Sequence, residues 1–171
     1  QLFVTFGSGM NWPAAASDPA KVVHLSSPDG VTATAVLQPN VHGTAIDLSA
    51  NASGATVRQK VVASGTAPTI NGQIKFGGGN DLLDIQDGAI NGNVFFGGGS
   101  NTLSMSGDAV MNGNADFGGG AGALQLSGTS SFTGNLMNSG GIAATIGAGS
   151  HLNATNLGSV GLASLTTGAG A

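Results

Sequence analysis

The sequence predicts an all-β fold, a right-handed parallel β-helix (solenoid) with coils of about 20–21 residues, on the strength of three observations. A unit of that length recurs along the chain, its apolar residues alternate with polar ones, and its corners are built of Gly, Asn and Ser. Composition agrees. Of 171 residues, 31 are Gly, 40% are hydrophobic and only 7% are charged, with no Glu, Cys or Tyr. Gly costs about 1 kcal/mol at each helical position and Glu is a good helix former, so long helices are disfavoured. The apolar fraction is too high, and the charge too low, for a disordered chain.

The repeat begins with triplets of an apolar residue, a polar residue and Gly. These are Ile70-Asn71-Gly72, Ile90-Asn91-Gly92, Met111-Asn112-Gly113 and Phe132-Thr133-Gly134, with a weaker fifth start at Leu152-Asn153-Ala154. From each start to the next, the interval never varies by more than a single position. Within the units, Phe76, Phe96 and Phe117 each precede three glycines. Alternating pairs follow: Leu83 with Ile85, Leu103 with Met105, Leu124 with Leu126. The fourth unit departs from this pattern, with Asn138 in place of the Phe.

Alternation with a period of two marks strands with one buried face. Each run is short and bounded by residues that supply turns, so a unit reads as one coil of about three strands. Coils stacked about 4.8 Å apart bring equivalent residues into columns. Phe76, Phe96 and Phe117 then form an aromatic ladder within the range of about 4.5–7 Å that ring pairs favour. Leu83, Leu103 and Leu124 form a second apolar ladder, and Ile85, Met105 and Leu126 a third. Right-handed winding is the strong default for parallel crossovers.

Stacking also explains the scarcity of charge. Like charges in successive coils repel by roughly 3–4 kcal/mol at an effective dielectric near 20, whereas Asn, Ser and Thr can align and exchange hydrogen bonds. One coil after Asp81, Asp84 and Asp87 come Asn101, Ser104 and Gly107, and Lys75 leads to Phe95 and then Asp116. In this alignment no acidic residue lies above another.

Residues 1–40 are read as irregular N-terminal coils or a cap, and 41–171 as the regular solenoid, with clear repeats from 70, 90, 111, 132 and 152. Four of five prolines lie at or before Pro39, and proline is excluded from sheet interiors. Strands are expected at Val22–Leu25, Val31–Leu37, Thr44–Leu48 and Val57–Val62, with a helical turn after Ser17-Asp18-Pro19 and a side loop at Asn51–Gly54. About eight coils would make a rod of about 40 Å. Gln1 is not followed by a basic stretch and an apolar run, so no signal peptide is expected, and the chain reads as a mature product or a piece of something longer.

Three segments resemble the passenger region of bacterial autotransporters, which are exported through their own outer-membrane barrel. They are Gly43-Thr44-Ala45-Ile46-Asp47-Leu48-Ser49, the recurring Phe-Gly-Gly-Gly-x-x-x-Leu units, and the stretch from Ile142 through Ser150 and Leu152 to Ala169. The likeness spans roughly residues 41–171. It implies a structural stalk of a cell-surface protein, one that assists passenger folding if its C-terminal coils fold first. It places the parent at the bacterial surface, held to the membrane only through a barrel absent from this chain.

Two other functions compete. An adhesin would bind surface glycans along its Asn, Ser and Thr columns, or self-associate through the unpaired strand edges at its ends. A polysaccharide-degrading enzyme would use Asp81, Asp84 and Asp87 with Lys75, since glycoside cleavage takes two carboxyls facing one another across the sugar. Asp84 alternates with Leu83 and Ile85 and is expected to face outward, and the only Arg is Arg58. The expectation is therefore no enzyme, no catalytic residues and no cofactor.

Metal sites are not expected either. Gly77-Gly78-Gly79-Asn80-Asp81-Leu82-Leu83 echoes a calcium-binding nonapeptide, but the period is wrong and Asp81 gives way to Asn101 and then Gly122. His24, His42 and His151 are dispersed. A net charge of −4 with four basic residues leaves little surface for nucleic acid.

Overall fold

The computed structural model describes the strands within residues 2–36, then residues 43–60 and 66–171. Among these residues there is no helix, and the strands stack in parallel as a β-solenoid of about five coils. The first coil comprises β1 (Leu2–Phe6), β2 (Asn11–Trp12), β3 (Val22–Ser26), β4 (Thr32–Val36) and β5 (Thr44–Asp47). The second holds β6 (Ala55–Gln59), β7 (Thr69–Asn71) and β8 (Gln73–Lys75), and the third β9 (Leu82–Ile85), β10 (Ala89–Asn91) and β11 (Val94–Phe95). Next come β12 (Asn101–Met105), β13 (Val110–Asn112) and β14 (Ala115–Asp116), then β15 (Gly122–Leu126), β16 (Ser131–Gly134) and β17 (Leu136–Met137). The chain ends with β18 (Ile142–Ile146), β19 (His151–Ala154) and β20 (Ser164–Thr167).

Three parallel sheets result. One runs β1-β6-β9-β12-β15-β18-β20, a second β2-β7-β10-β13-β16-β19 and a third β5-β8-β11-β14-β17. Along the regular coils each residue pairs with its counterpart one repeat later: Leu83 with Leu103, Leu103 with Leu124, and Ala144 with Leu165. Seven strands at about 4.8 Å make the longest stack about 29 Å, shorter than the eight-coil rod expected. The early coils consume more chain. Ala55 pairs with Leu2, and Leu82 with Thr56, both wider steps than any in the later coils.

The excess in the first coil includes β3 and β4, which form the only antiparallel pair among the described strands. This hairpin lies between β2 and β5 in sequence, with β3 against β1 and β4 against β5. Both strands fall where the alternation placed them, within the stretch read as irregular coils or a cap, and they pair with each other rather than in the solenoid sheets. β1 and β2 themselves join the solenoid sheets, pairing with β6 and β7. The expected helical turn after Ser17-Asp18-Pro19 lies outside the described residues, while Asn51–Gly54 is a loop.

The core is a set of columns. Phe76, Phe96 and Phe117 stack with centroids 5.2 Å apart and planes inclined by 6° and 11°. Val57, Leu83, Leu103, Leu124 and Ala144 form an adjacent buried column, and Gln59, Ile85, Met105, Leu126 and Ile146 another. Ile70, Ile90, Met111 and Phe132 fill the remaining side. All nine ladder residues singled out from the sequence are buried.

Glycine is required at the corner after each Phe. Gly97 and Gly118 have φ of +73° and +69°, and a Cβ on Gly118 would overlap the Gly97 carbonyl oxygen. L-residues disfavour this backbone region. The adjoining coil leaves no room for a side chain.

Candidate functional site

The outward faces carry the polar chemistry, and most of it is spent between coils. Asn71, Asn91 and Asn112 align on neighbouring strands. Asn91 Nδ2 donates to Asn71 Oδ1 at 2.8 Å, and Asn112 Nδ2 to Asn91 Oδ1 at 3.0 Å. Just past the glycine corner, Asn93 and Asn114 accept from the backbone N–H of Asn114 and Asn135, each at 2.9 Å. Thr155 Oγ1 donates to Asn135 Oδ1, and Asn156 binds both the N–H and the C=O of Leu136. The first column follows from the aligned triplets. The second was missed, although Asn91-Gly92-Asn93 and Asn112-Gly113-Asn114 recur at the same interval as those triplets.

Two pairs of opposite charge link neighbouring coils. Arg58 and Asp84 are partners on β6 and β9, with Nε to Oδ2 at 2.7 Å. Asp47 pairs with Lys75. Its carboxyl is held below the usual aspartate range, chiefly by the Ser49 hydroxyl and further by the Ser49 N–H and the Lys75 charge, against partial burial. Lys75 in turn meets Phe95, which meets Asp116, as the spacing predicts. The coil lengthens by one position between Met105 and Val110. Among the described strands no acidic residue is the register partner of another.

Ser104 lies directly above Asp84. Ser104→Asp should destabilise the fold by about 1 kcal/mol at low ionic strength, the Arg58 partner and solvent reducing the repulsion, and the loss should shrink as salt is added. Thermal melts at two salt concentrations check this; an unchanged melting temperature at low salt would contradict the charge argument.

Of the acids weighed for catalysis, Asp81 and Asp84 point to different sides of the chain. Asp84 faces outward beside Arg58 and also accepts from Gln86 Nε2 at 2.9 Å. Asp81 points inward, 2% exposed, and its Oδ1 accepts the Ala55 N–H at 2.7 Å. Its Oδ2 has no hydrogen-bond partner, and burial pushes its pKa up to about 6, against the lowering effect of the Ala55 bond. Asp87 offers its backbone carbonyl to Gln59 Nε2. His151 is exposed on β19, His24 lies in β3, and His42 is outside the described residues. Among the described residues, no three His or Asp side chains form a group able to hold a metal ion.

No family model, curated protein or solved structure matches the chain.

Proposed function

We propose that the chain is a structural stalk, a passenger segment of a cell-surface autotransporter that holds other parts of its parent away from the outer membrane. The observation that carries this reading is the continuous parallel register from β6 to β18, with apolar columns inside and amide ladders outside. Bending such a rod breaks backbone ladders and side-chain stacks together, so stiffness follows from the repeat. The resemblance of residues 41–171 to autotransporter passengers supplies the cell-surface setting.

The adhesin reading draws support from the same Asn columns, since amide groups at a fixed repeat suit neutral glycan hydroxyls. Two measurements separate them. Inserted between an outer-membrane barrel and a reporter epitope, the chain should present the epitope outside the cell in protease-sensitive form. The isolated chain should also give no specific signal on a glycan array. Failure to display the epitope would refute the stalk; specific glycan binding lost in Asn91→Ala would favour the adhesin.

A further inference from the structure

Asn71, Asn91 and Asn112 are each followed by glycine, and no other asparagine in the chain is. The three pairs occupy the same corner in successive coils, at the ends of β7, β10 and β13. Two separate demands of the stack bring these residues together. The ladder takes Asn, since a side chain in mid-column must both donate and accept. The corner takes Gly: a Cβ on Gly92 would overlap the Gly72 carbonyl oxygen, and one on Gly113 the Gly92 carbonyl oxygen. Asn-Gly is also the asparagine sequence most open to attack on its own side chain, because glycine has no Cβ to hinder the following backbone nitrogen. Folding ties down both partners in that reaction. The N–H groups of Gly72, Gly92 and Gly113 donate to the carbonyls of Asn91, Asn112 and Thr133, each at 2.9 Å. The extended strand backbone points each Asn side chain outward, away from that nitrogen.

We infer that Asn71, Asn91 and Asn112 are latent deamidation sites, inert in the stacked coils and reactive once a coil opens. In the open chain the Gly nitrogen attacks the Asn Cγ. The N–Cγ bond forms, the Cγ–Nδ2 bond breaks, and ammonia leaves with the proton lost from the Gly nitrogen. Water then adds to either carbonyl of the resulting succinimide and opens it to Asp or isoaspartate. Neither product fits the stack. At Asn91 a carboxylate would replace the donor that serves Asn71 Oδ1, so that two acceptors face each other. Isoaspartate adds a carbon to the main chain and shifts the register that the next strand must match. The sites differ in protection. Asn91 is half-buried and bonded on both sides, to Asn71 and to Asn112. Asn112 is exposed, and above it the column changes to Thr133. Asn112 therefore reacts before Asn91. The inference is independent of the stalk reading.

Peptide mapping by mass spectrometry after incubation at mildly alkaline pH tests this. The native chain should deamidate at the three sites at least about tenfold more slowly than the chain held open in guanidinium chloride, because reaction then waits on local opening. Within the native chain Asn112 should react faster than Asn91, whereas in denaturant the two should react alike. Thr133→Asn, which continues the ladder above Asn112, should slow Asn112 in the native chain and leave its rate in denaturant unchanged. A folding defect cannot produce that result, since easier opening would speed Asn112. Equal rates in the native and unfolded chains would overturn the proposal, as would Asn91 reacting as fast as Asn112 in the native chain. So would a Thr133→Asn chain of wild-type circular dichroism whose Asn112 is not slowed.

Discussion

Replacing Phe96 by Ala should cost about 3–5 kcal/mol of unfolding free energy. The ring is fully buried and stacks on Phe76 below and Phe117 above, both at 5.2 Å. Truncation removes two ring contacts at once and opens a cavity whose floor and ceiling are held by neighbouring coils. Backbone bonds on both sides limit collapse: Phe96 N–H donates to the Asp116 carbonyl, and Phe76 N–H to the Phe95 carbonyl. Urea titration of the two proteins measures the difference. A loss below about 1 kcal/mol would mean the column contributes little beyond its area. Phe96→Leu should recover part of the loss, because it fills volume without restoring the ring stack.

Asp81→Asn should stabilise the protein by about 1–3 kcal/mol at neutral pH. Burial raises the Asp81 pKa from 3.8 to about 6. Between those values the folded chain retains a proton that the unfolded chain has released. Stability therefore declines as pH rises through that window and levels off above it. Asparagine keeps the oxygen that accepts the Ala55 N–H and replaces the unpartnered carboxylate oxygen with a donor. The column already contains such a residue: Asn101 accepts the Asp81 N–H at 3.1 Å, and its amide donates to the Gly98 and Phe117 carbonyls. Denaturant curves for both proteins between pH 4 and 7 provide the test. The difference between them should grow with pH and then plateau; a constant difference would show that Asp81 does not titrate within that interval.

The solenoid was legible in the sequence because stacking constrains both backbone and side chain. The positions of Phe76, Phe96 and Phe117 anticipated their contact, and a step of one coil from Asp84 located Ser104. The chain before Ile70 was less legible in register. The strands there could be read from alternation, but no repeat reveals that β1 pairs with β6 or that β3 and β4 pair antiparallel. Pairing across an insertion depends on where the chain returns, which local pattern does not encode. Asp81 marks another limit: it turns inward to take the Ala55 N–H, a backbone donor on the preceding coil that no spacing in the repeat announces.

The first coil carries a consequence for how such a molecule can change over generations. Between β2 and β5 the sequence includes β3 and β4, which pair with each other, and β5 is nevertheless aligned with β8 in the third sheet. Corners are thus places where new sequence can be accommodated without reworking the columns. A lineage of such rods could acquire new appendages by lengthening bends, and an engineer could graft a cargo loop at Asn51–Gly54 by the same route.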